Sequence, residues 1–355
     1  MIPHSVLKIF FPAMLSFAVG LILTYLITPL MYHFKLWKRT SRLDNDDAMS
    51  EEFKKMQNDQ VNKAELGTQR VGGIIVWGSV VVVVLVMFIL SKIVGGPTLL
   101  KLDFLSRGQT LLPLIALLFG GLFGLFEDLL EVFVDKFTKM RQGLPKSYLI
   151  SAVILIGLFS SLWFFNKLGM RGVYVPFTGY LNLGWMFIPF FILVVLGTFS
   201  SRVIDGIDGL AGGVMTIAFG TYGVIAYVQN QIDIAAMCFV IAGAILAFLW
   251  FNVPPAKYYL GETGMLALTL CLAIVAFLTD QVFILLVVGF MLVLTSFSSF
   301  TQIMSKKYFG KKVFRIAPIH WHFHALGWSR EGIVMRYWII TLMLAVMSVV
   351  IVLIG

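Results

Sequence analysis

The chain has 355 residues, 59% of them hydrophobic and 13% charged, and its mean hydropathy of +0.93 lies outside the range of a soluble globular domain. That balance marks an integral membrane protein. The net charge of +9 sits in short loops between apolar runs, where loop retention and anionic membrane lipid account for it and no nucleic acid is implied; Cys238 and Cys271 lie inside apolar runs without metal-ligand spacing, which argues against redox chemistry.

Apolar runs of about 17–25 residues, enough to cross a bilayer, lie near 8–30, 72–92, 109–126, 148–165, 182–199, 208–228, 232–251, 264–279, 281–298 and 335–354. The first is expected to be a retained helix, since residues 1–30 show no cleavage-site pattern. Segment 168–181, LGMRGVYVPFTGYL, reads as an external hairpin or interfacial flap, with a plain loop as the alternative. Very short turns at Asn230 and Asp280 make their flanking runs antiparallel neighbours. No run alternates as a barrel strand does, so the expected fold is an all-α polytopic membrane protein: about ten transmembrane helices in a single domain over 1–355, with a cytoplasmic active-site cleft.

Charge is concentrated in the loops after the odd-numbered runs. Loop 31–71 carries Lys35, Lys38, Arg39, Arg42, Lys54, Lys55, Lys63 and Arg70, and loop 299–334 carries Lys306, Lys307, Lys311, Lys312, Arg315 and Arg330. The opposite loops contribute only Lys92, Lys101, Arg107, Lys167 and Arg171. The odd loops are therefore expected in the cytoplasm and both termini outside.

Five polar clusters fall on that cytoplasmic side: GTQRVGG at 67–73, LFEDLLE at 125–131, VIDGIDGL at 203–210, WFNVPPAKYYLGETG at 250–264 and APIHWHFHALGW at 317–328. A transporter would hold such carboxylates near the bilayer midplane, whereas these gather on one face. Asp205 and Asp208, three apart at an expected helix start, would share a face, and with Glu127, Asp128 and Glu262 they make a hard oxygen site suited to Mg²⁺ and the phosphates it bridges. Glu127 and Glu131 are expected on one face just past an apolar helix. In an extended HWHFH stretch His320, His322 and His324 would point one way and Trp321 and Phe323 the other, a geometry open to metal ligation or to hydrogen bonds with an anion or sugar. Asn252, before two prolines, and the aromatics Tyr258 and Tyr259 could receive a flat ring such as uracil, or simply form an interfacial aromatic belt.

In their order and context, GTQRVGG, DGIDGLAGG, FLWFNVPPAKYYLGETG and FRIAPIHWHFHALGW resemble the polyprenyl-phosphate N-acetylhexosamine-1-phosphate transferases, and the loop from Ala317 to Trp328 is similar to their muramoyl-pentapeptide branch. The resemblance implies Mg²⁺-dependent transfer of phospho-N-acetylmuramoyl-pentapeptide from its UDP-sugar to polyprenyl (undecaprenyl) phosphate, giving lipid I and UMP, at a bacterial cytoplasmic membrane, with a homodimer as the family expectation. By the same resemblance Asp205, Asp208, Asp128, Glu127 and Arg202 are the catalytic set; Asn252, Tyr259, His320, His322, His324 and Lys63 bind substrate; and Asp208 and Glu262, helped by Asp128, hold the metal. The chain departs from the family pattern at Glu127 for an aspartate, Glu131 and Leu149 for lysines, Phe199 and Arg202 for asparagines, Trp321 for a histidine and His324 for a glutamate. Arg202, Lys136 or Lys146 would then replace the missing positive charge, unless Arg202 only snorkels to the headgroups. These departures leave open a sister transferase using another UDP-N-acetylhexosamine, or a catalytically inactive relative that binds polyprenyl phosphate.

Overall fold

A computed structural model describes residues 4–37, 68–93, 103–105, 109–137 and 145–355. Lys63, with the rest of the basic stretch 38–67, lies outside the described residues. Nine helices among the described residues are long and apolar enough to cross a membrane. They are α1 (His4–Phe34), α2 (Gly73–Ile93), α3 (Leu111–Phe137), α4 (Lys146–Lys167), α5 (Phe187–Ser200) with its flanking 3-10 turns, α6 (Leu210–Val228), α7 (Ile232–Asn252), α8 (Gly261–Leu278) and α12 (Arg330–Ile354). Between α8 and α12 come short α9 (Ile284–Val288), then α10 (Phe290–Phe309) and short α11 (Ile319–Ala325).

The predicted run 281–298 is therefore divided between α9 and α10, and α10 carries a polar series through Thr295, Ser296, Ser298, Ser299 and Gln302 that a lipid-spanning helix would not expose. Thr295, Ser298 and Gln302 are instead turned inward and buried.

Central α7 and α8 are the most enclosed of the nine, each 83% buried across its apolar window. Helices without a hydrophobic drive between them pack through small residues that let backbones approach. Two such crossings position the site. At Gly124 of α3 a Cβ would overlap the carbonyl of Glu262 on α8, and at Gly120 it would stand 2.9 Å from Ala267 Cα. At Gly73 of α2 a Cβ would overlap Gly264 of α8. A second buried cluster, built on Phe164, Phe187, Phe191 and Phe277, fixes α4 and α5 against the far end of α8; the rings of Phe191 and Phe277 stack at 4.1 Å.

The end away from the carboxylates is thin. β1 (Gly172–Val175) and β2 (Gly179–Asn182) form the antiparallel hairpin read in the sequence, with Val173 opposite Leu181. Its Tyr174 donates its N–H to Asp280 Oδ1 at 3.1 Å and its hydroxyl to the Gly355 carbonyl. The turns at Asn230 and Asp280 use left-handed backbone, φ 61° and 51°, which short polar side chains tolerate. Lys8 of α1 pairs with Asp233 at 2.5 Å beside the first of these turns. The start of α1 and the end of α12 thus share the face opposite the polar clusters.

Candidate functional site

A helix begins with backbone N–H groups that have no partner within it, and its dipole favours negative charge there. The start of α8, Gly-Glu-Thr, receives two carboxylates from other elements. Asp205 Oδ2 accepts from Gly261 N at 3.1 Å. Asp128 Oδ1 accepts from Glu262 N at 3.3 Å, and its Oδ2 accepts from Thr263 N at 2.8 Å and Thr263 Oγ1 at 2.6 Å. Asp128 is 0% exposed and is held as a buried cap. Gly261 adopts φ +67°, and a Cβ there would overlap the Arg70 carbonyl and stand 2.6 Å from Asp128 Oδ2, so only glycine admits both neighbours.

The acidic trio does not lie past the helix, as the sequence suggested, but inside it, because α3 continues to Phe137, beyond the start of α8. Glu127 is buried beside Glu262, Arg202, Asp128 and Glu131, and its Oε2 has no hydrogen-bond partner among the described residues. Glu262 pairs with Arg202 through Oε1 at 2.5 Å and keeps Oε2 buried without a partner. Arg202 lies over the Phe199 ring at 4.6 Å and is turned toward Glu262, not out to the headgroups. Glu131 pairs with Arg70. Burial would lower the Arg70 pKa, but Glu131, Asp128 and Glu262 together hold it above its ordinary value.

Asp205 and Asp208 are not on a helix start. A 3-10 turn over Ser201–Ile204 leads into a loop, and α6 begins only after Gly209, whose φ of +79° breaks the helical path. The carboxylates consequently diverge: while Asp205 faces α8, Asp208 Oδ2 accepts from Ala256 N at 3.1 Å in the loop after α7. Burial raises the Asp208 pKa, opposed by the Ala256 N–H and by Arg330. Asn252 ties these loops together, accepting from Gly209 N at 2.9 Å and donating to the Tyr258 carbonyl at 2.7 Å. Both ends of its carboxamide are thereby engaged in shaping the loop. Tyr259 extends the arrangement by donating its N–H to the Gln69 carbonyl at 2.8 Å and accepting from Gly72 N at 3.0 Å.

The HWHFH stretch is helical in α11, not extended, with Ser298 Oγ accepting from Ile319 N at 3.0 Å at its start. Residues two apart on a helix point to nearly opposite sides, which separates the histidines. His320 is 0% exposed, with neither ring nitrogen partnered among the described residues, and its Nε2 lies 2.8 Å from where a Cβ on Gly206 would be, with Trp321 Nε1 at 3.1 Å. Gly206 thus lets an imidazole and an indole N–H abut the Asp205–Asp208 loop. Burial lowers the His320 pKa to about 3, so the ring is neutral at physiological pH. His322 Nδ1 accepts from Arg315 N at 3.3 Å, and His324 Nδ1 lies 2.9 Å from the Trp328 carbonyl.

The structure therefore brings Asp128, Asp205, Glu127, Glu262 and Arg202 together at the start of α8 and sets His320 against the same loop as Asp205. It does not gather the expected metal trio: Asp128 caps α8 and Asp208 faces Ala256, and no three Asp, Glu, His or Cys side chains among the described residues form a metal-holding group. Leu149, at an expected lysine position, is a buried member of the second apolar cluster. Three contributors were given no site role from the sequence: Thr263, which completes the Asp128 cap; Arg70, read only as one of the basic residues of loop 31–71; and Gln302, whose Oε1 accepts from Val313 N and Phe314 N to order the approach to α11.

Beside this cluster an apolar groove of about 480 Å³ runs between α5 and α9–α10, from Phe190 and Phe283 at one end to Ser201 and Phe300 at the other. Comparison with known proteins adds a family. The profile of glycosyl transferase family 4 matches residues 110–280. The chain is 34% identical over 342 residues to a phospho-N-acetylmuramoyl-pentapeptide-transferase of Listeria welshimeri, covering 95% of this chain and 97% of the relative. The protein of the same name in Geobacillus thermodenitrificans is 32% identical over 341 residues, with 94% and 96% covered.

Proposed function

Since the chain belongs to the family of the phospho-N-acetylmuramoyl-pentapeptide-transferases, we propose that it transfers phospho-N-acetylmuramoyl-pentapeptide from its UDP-sugar to polyprenyl phosphate. An oxygen of the lipid phosphate bonds to the β-phosphorus of the UDP-sugar as the P–O bond to the α-phosphate breaks, and UMP leaves. The observation that carries this reading is the meeting of two unlike surfaces. The apolar groove ends at Ser201, and the next residue, Arg202, is paired with Glu262 in the carboxylate cluster. The groove suits the phosphate-proximal part of an isoprenoid chain, with its phosphate at the charged end.

The chain's own residues divide the work. Asp205 and Asp128 fix the start of α8 and so place Glu262. Asn252 and Asp208 shape the loop that faces the nucleotide, with Tyr259 beside it. Neutral His320, buried against Gly206, braces the loop that carries Asp205 and Asp208 without adding a fixed charge. Magnesium suits this donor set, because it favours hard oxygen ligands, takes only one or two carboxylates and completes its shell with water and substrate phosphates. Glu127 and Glu262, each with a buried Oε2 lacking a partner, would hold it. When bound it supplies positive charge to the phosphate oxygens.

The reading places the protein in a bacterial cytoplasmic membrane with the α8 start facing the cytoplasm. A homodimer follows from the family resemblance alone. Purified protein given polyprenyl phosphate and Mg²⁺, with UDP-N-acetylmuramoyl-pentapeptide or UDP-N-acetylglucosamine in separate reactions, should release UMP only with the first. Release with the second alone would reassign the sugar, and none with either would remove the activity.

A further inference from the structure

The loop before α2 is held by backbone hydrogen bonds to the end of α1 and to the chain leading into α8. Arg70 N donates to the Leu36 carbonyl at 3.2 Å, Gly72 N to Tyr259 O at 3.0 Å and Gly73 N to Leu260 O at 3.0 Å. The Arg70 carbonyl lies so close to Gly261 that no side chain fits between them. Its guanidinium is thereby fixed over the first turn of α8, where it pairs with Glu131 and also faces Asp128 and Glu262.

Charge then poses a problem for any anionic substrate. Glu127, Asp128, Glu131, Asp205 and Glu262 crowd this helix start, and the described cations among them are Arg70 and Arg202. Both are paired, Arg70 with Glu131 and Arg202 with Glu262, and the five carboxylates outnumber them. A diphosphate brought to this cluster meets excess negative charge, which costs binding unless a cation is aimed at it. Arginine suits that task because it is always charged, and its five N–H donors exceed what one carboxylate can accept.

We propose that Arg70 is the positioning cation for the diphosphate of the nucleotide sugar, with Glu131 only its resting partner. The inference rests on the transferase reading and adds a residue to it. It also reassigns the electrostatic compensation expected of Arg202, since Arg70 stands on the helix face where Glu131 has reversed the charge of the expected lysine. The competing account is a lock, in which the pair merely fastens the loop to α3.

A lock is symmetrical between its partners, whereas a positioning cation is not. The test compares the full-length parent with Arg70→Gln, Glu131→Gln and the double variant Arg70→Gln/Glu131→Lys. UMP release is resolved into kcat and KM for the UDP-sugar, UMP binding is measured by calorimetry, and thermal unfolding monitors the fold. Arg70→Gln should lower kcat/KM about 10- to 150-fold, the range of one charged hydrogen bond, and weaken UMP binding. Glu131→Gln keeps the cation and should lower kcat/KM less than about fivefold, as for loss of one modest ion pair. The double variant restores a cation from the facing position without restoring a pair, and should recover most of the loss. Equal losses in the two single variants, or a double variant no better than Arg70→Gln, would overturn the proposal in favour of the lock. Should Arg70→Gln not fold, Glu131→Gln decides: near-parent turnover supports the positioning cation, and a loss above tenfold refutes it. A parent that releases no UMP refutes the transferase reading itself, a result visible before any variant is compared.

Discussion

Asp128 accepts from two backbone N–H groups and one hydroxyl at the start of α8, and it is fully buried while doing so. Removing a partner from buried donors costs about 1–3 kcal/mol for each group left unsatisfied. Asp128→Ala should therefore lower the thermal unfolding temperature as well as turnover, and Asp128→Asn, which retains one acceptor oxygen for the Thr263 donors, should lower the unfolding temperature less than Asp128→Ala does. Calorimetry in detergent beside the UMP assay separates these effects. An Asp128→Ala protein that unfolds at the parent temperature would show that the cap contributes nothing. His320 offers a pH test. Its pKa falls from an ordinary 6.5 to about 3 because burial penalises the charged ring. Between those values the unfolded chain binds a proton that the folded chain refuses, so stability present above pH 6.5 is lost progressively as pH falls toward 3. His320→Gln should flatten that acid-side decline in unfolding temperature; a parallel decline would contradict the assignment. At this scale Asp205, Asp128, Glu262 and His320, singled out in the sequence, do converge. Their partners were not legible. Asn252 is bound to Gly209, 43 positions away, and Asp128 to Thr263, 135 positions away, and no local pattern encodes those distances.

Helix α3 meets α8 without side chains between them at Gly124 and Gly120, and this contact delivers Glu127 and Asp128 to the α8 start. A methyl at Gly124 would overlap the Glu262 carbonyl, and overpacking of this kind costs about 1–3 kcal/mol. Gly124→Ala should reduce both stability and turnover, whereas Gly197→Ala, where a Cβ meets nothing within 4 Å, should leave unfolding unchanged. Equal unfolding temperatures for the two variants would show that the crossing tolerates separation. Hydropathy located the apolar runs, because the bilayer sets their length. It misplaced the ends that matter chemically. α3 continues through its acidic trio, where Asp128 meets the α8 start and Glu131 meets Arg70, and α6 starts late because Gly209 is left-handed. HWHFH reads as alternating but folds as a helix, since Pro318 and Ser298 set its first turn.

Across the whole molecule, polar chemistry lies at one end and a short hairpin, tight turns and both termini at the other. The alternation of basic and nearly uncharged loops had implied this division, and the positive-inside rule predicts that the termini lie outside. A reporter joined after Gly355 should be active only in the external compartment; cytoplasmic activity would invert the arrangement and detach the site from a cytoplasmic nucleotide. The central claim is that the groove and the carboxylate cluster together make a lipid-linked diphosphate. Mass spectrometry of the lipid fraction after incubation with UDP-N-acetylmuramoyl-pentapeptide, undecaprenyl phosphate and Mg²⁺ tests it most directly. The account predicts a new lipid joining the isoprenoid, two phosphates and the muramoyl-pentapeptide, formed in proportion to UMP and at least about 100-fold less with Glu262→Ala, as for loss of a group placing a metal or phosphate. A lipid fraction containing only unchanged undecaprenyl phosphate, from folded protein, would contradict it.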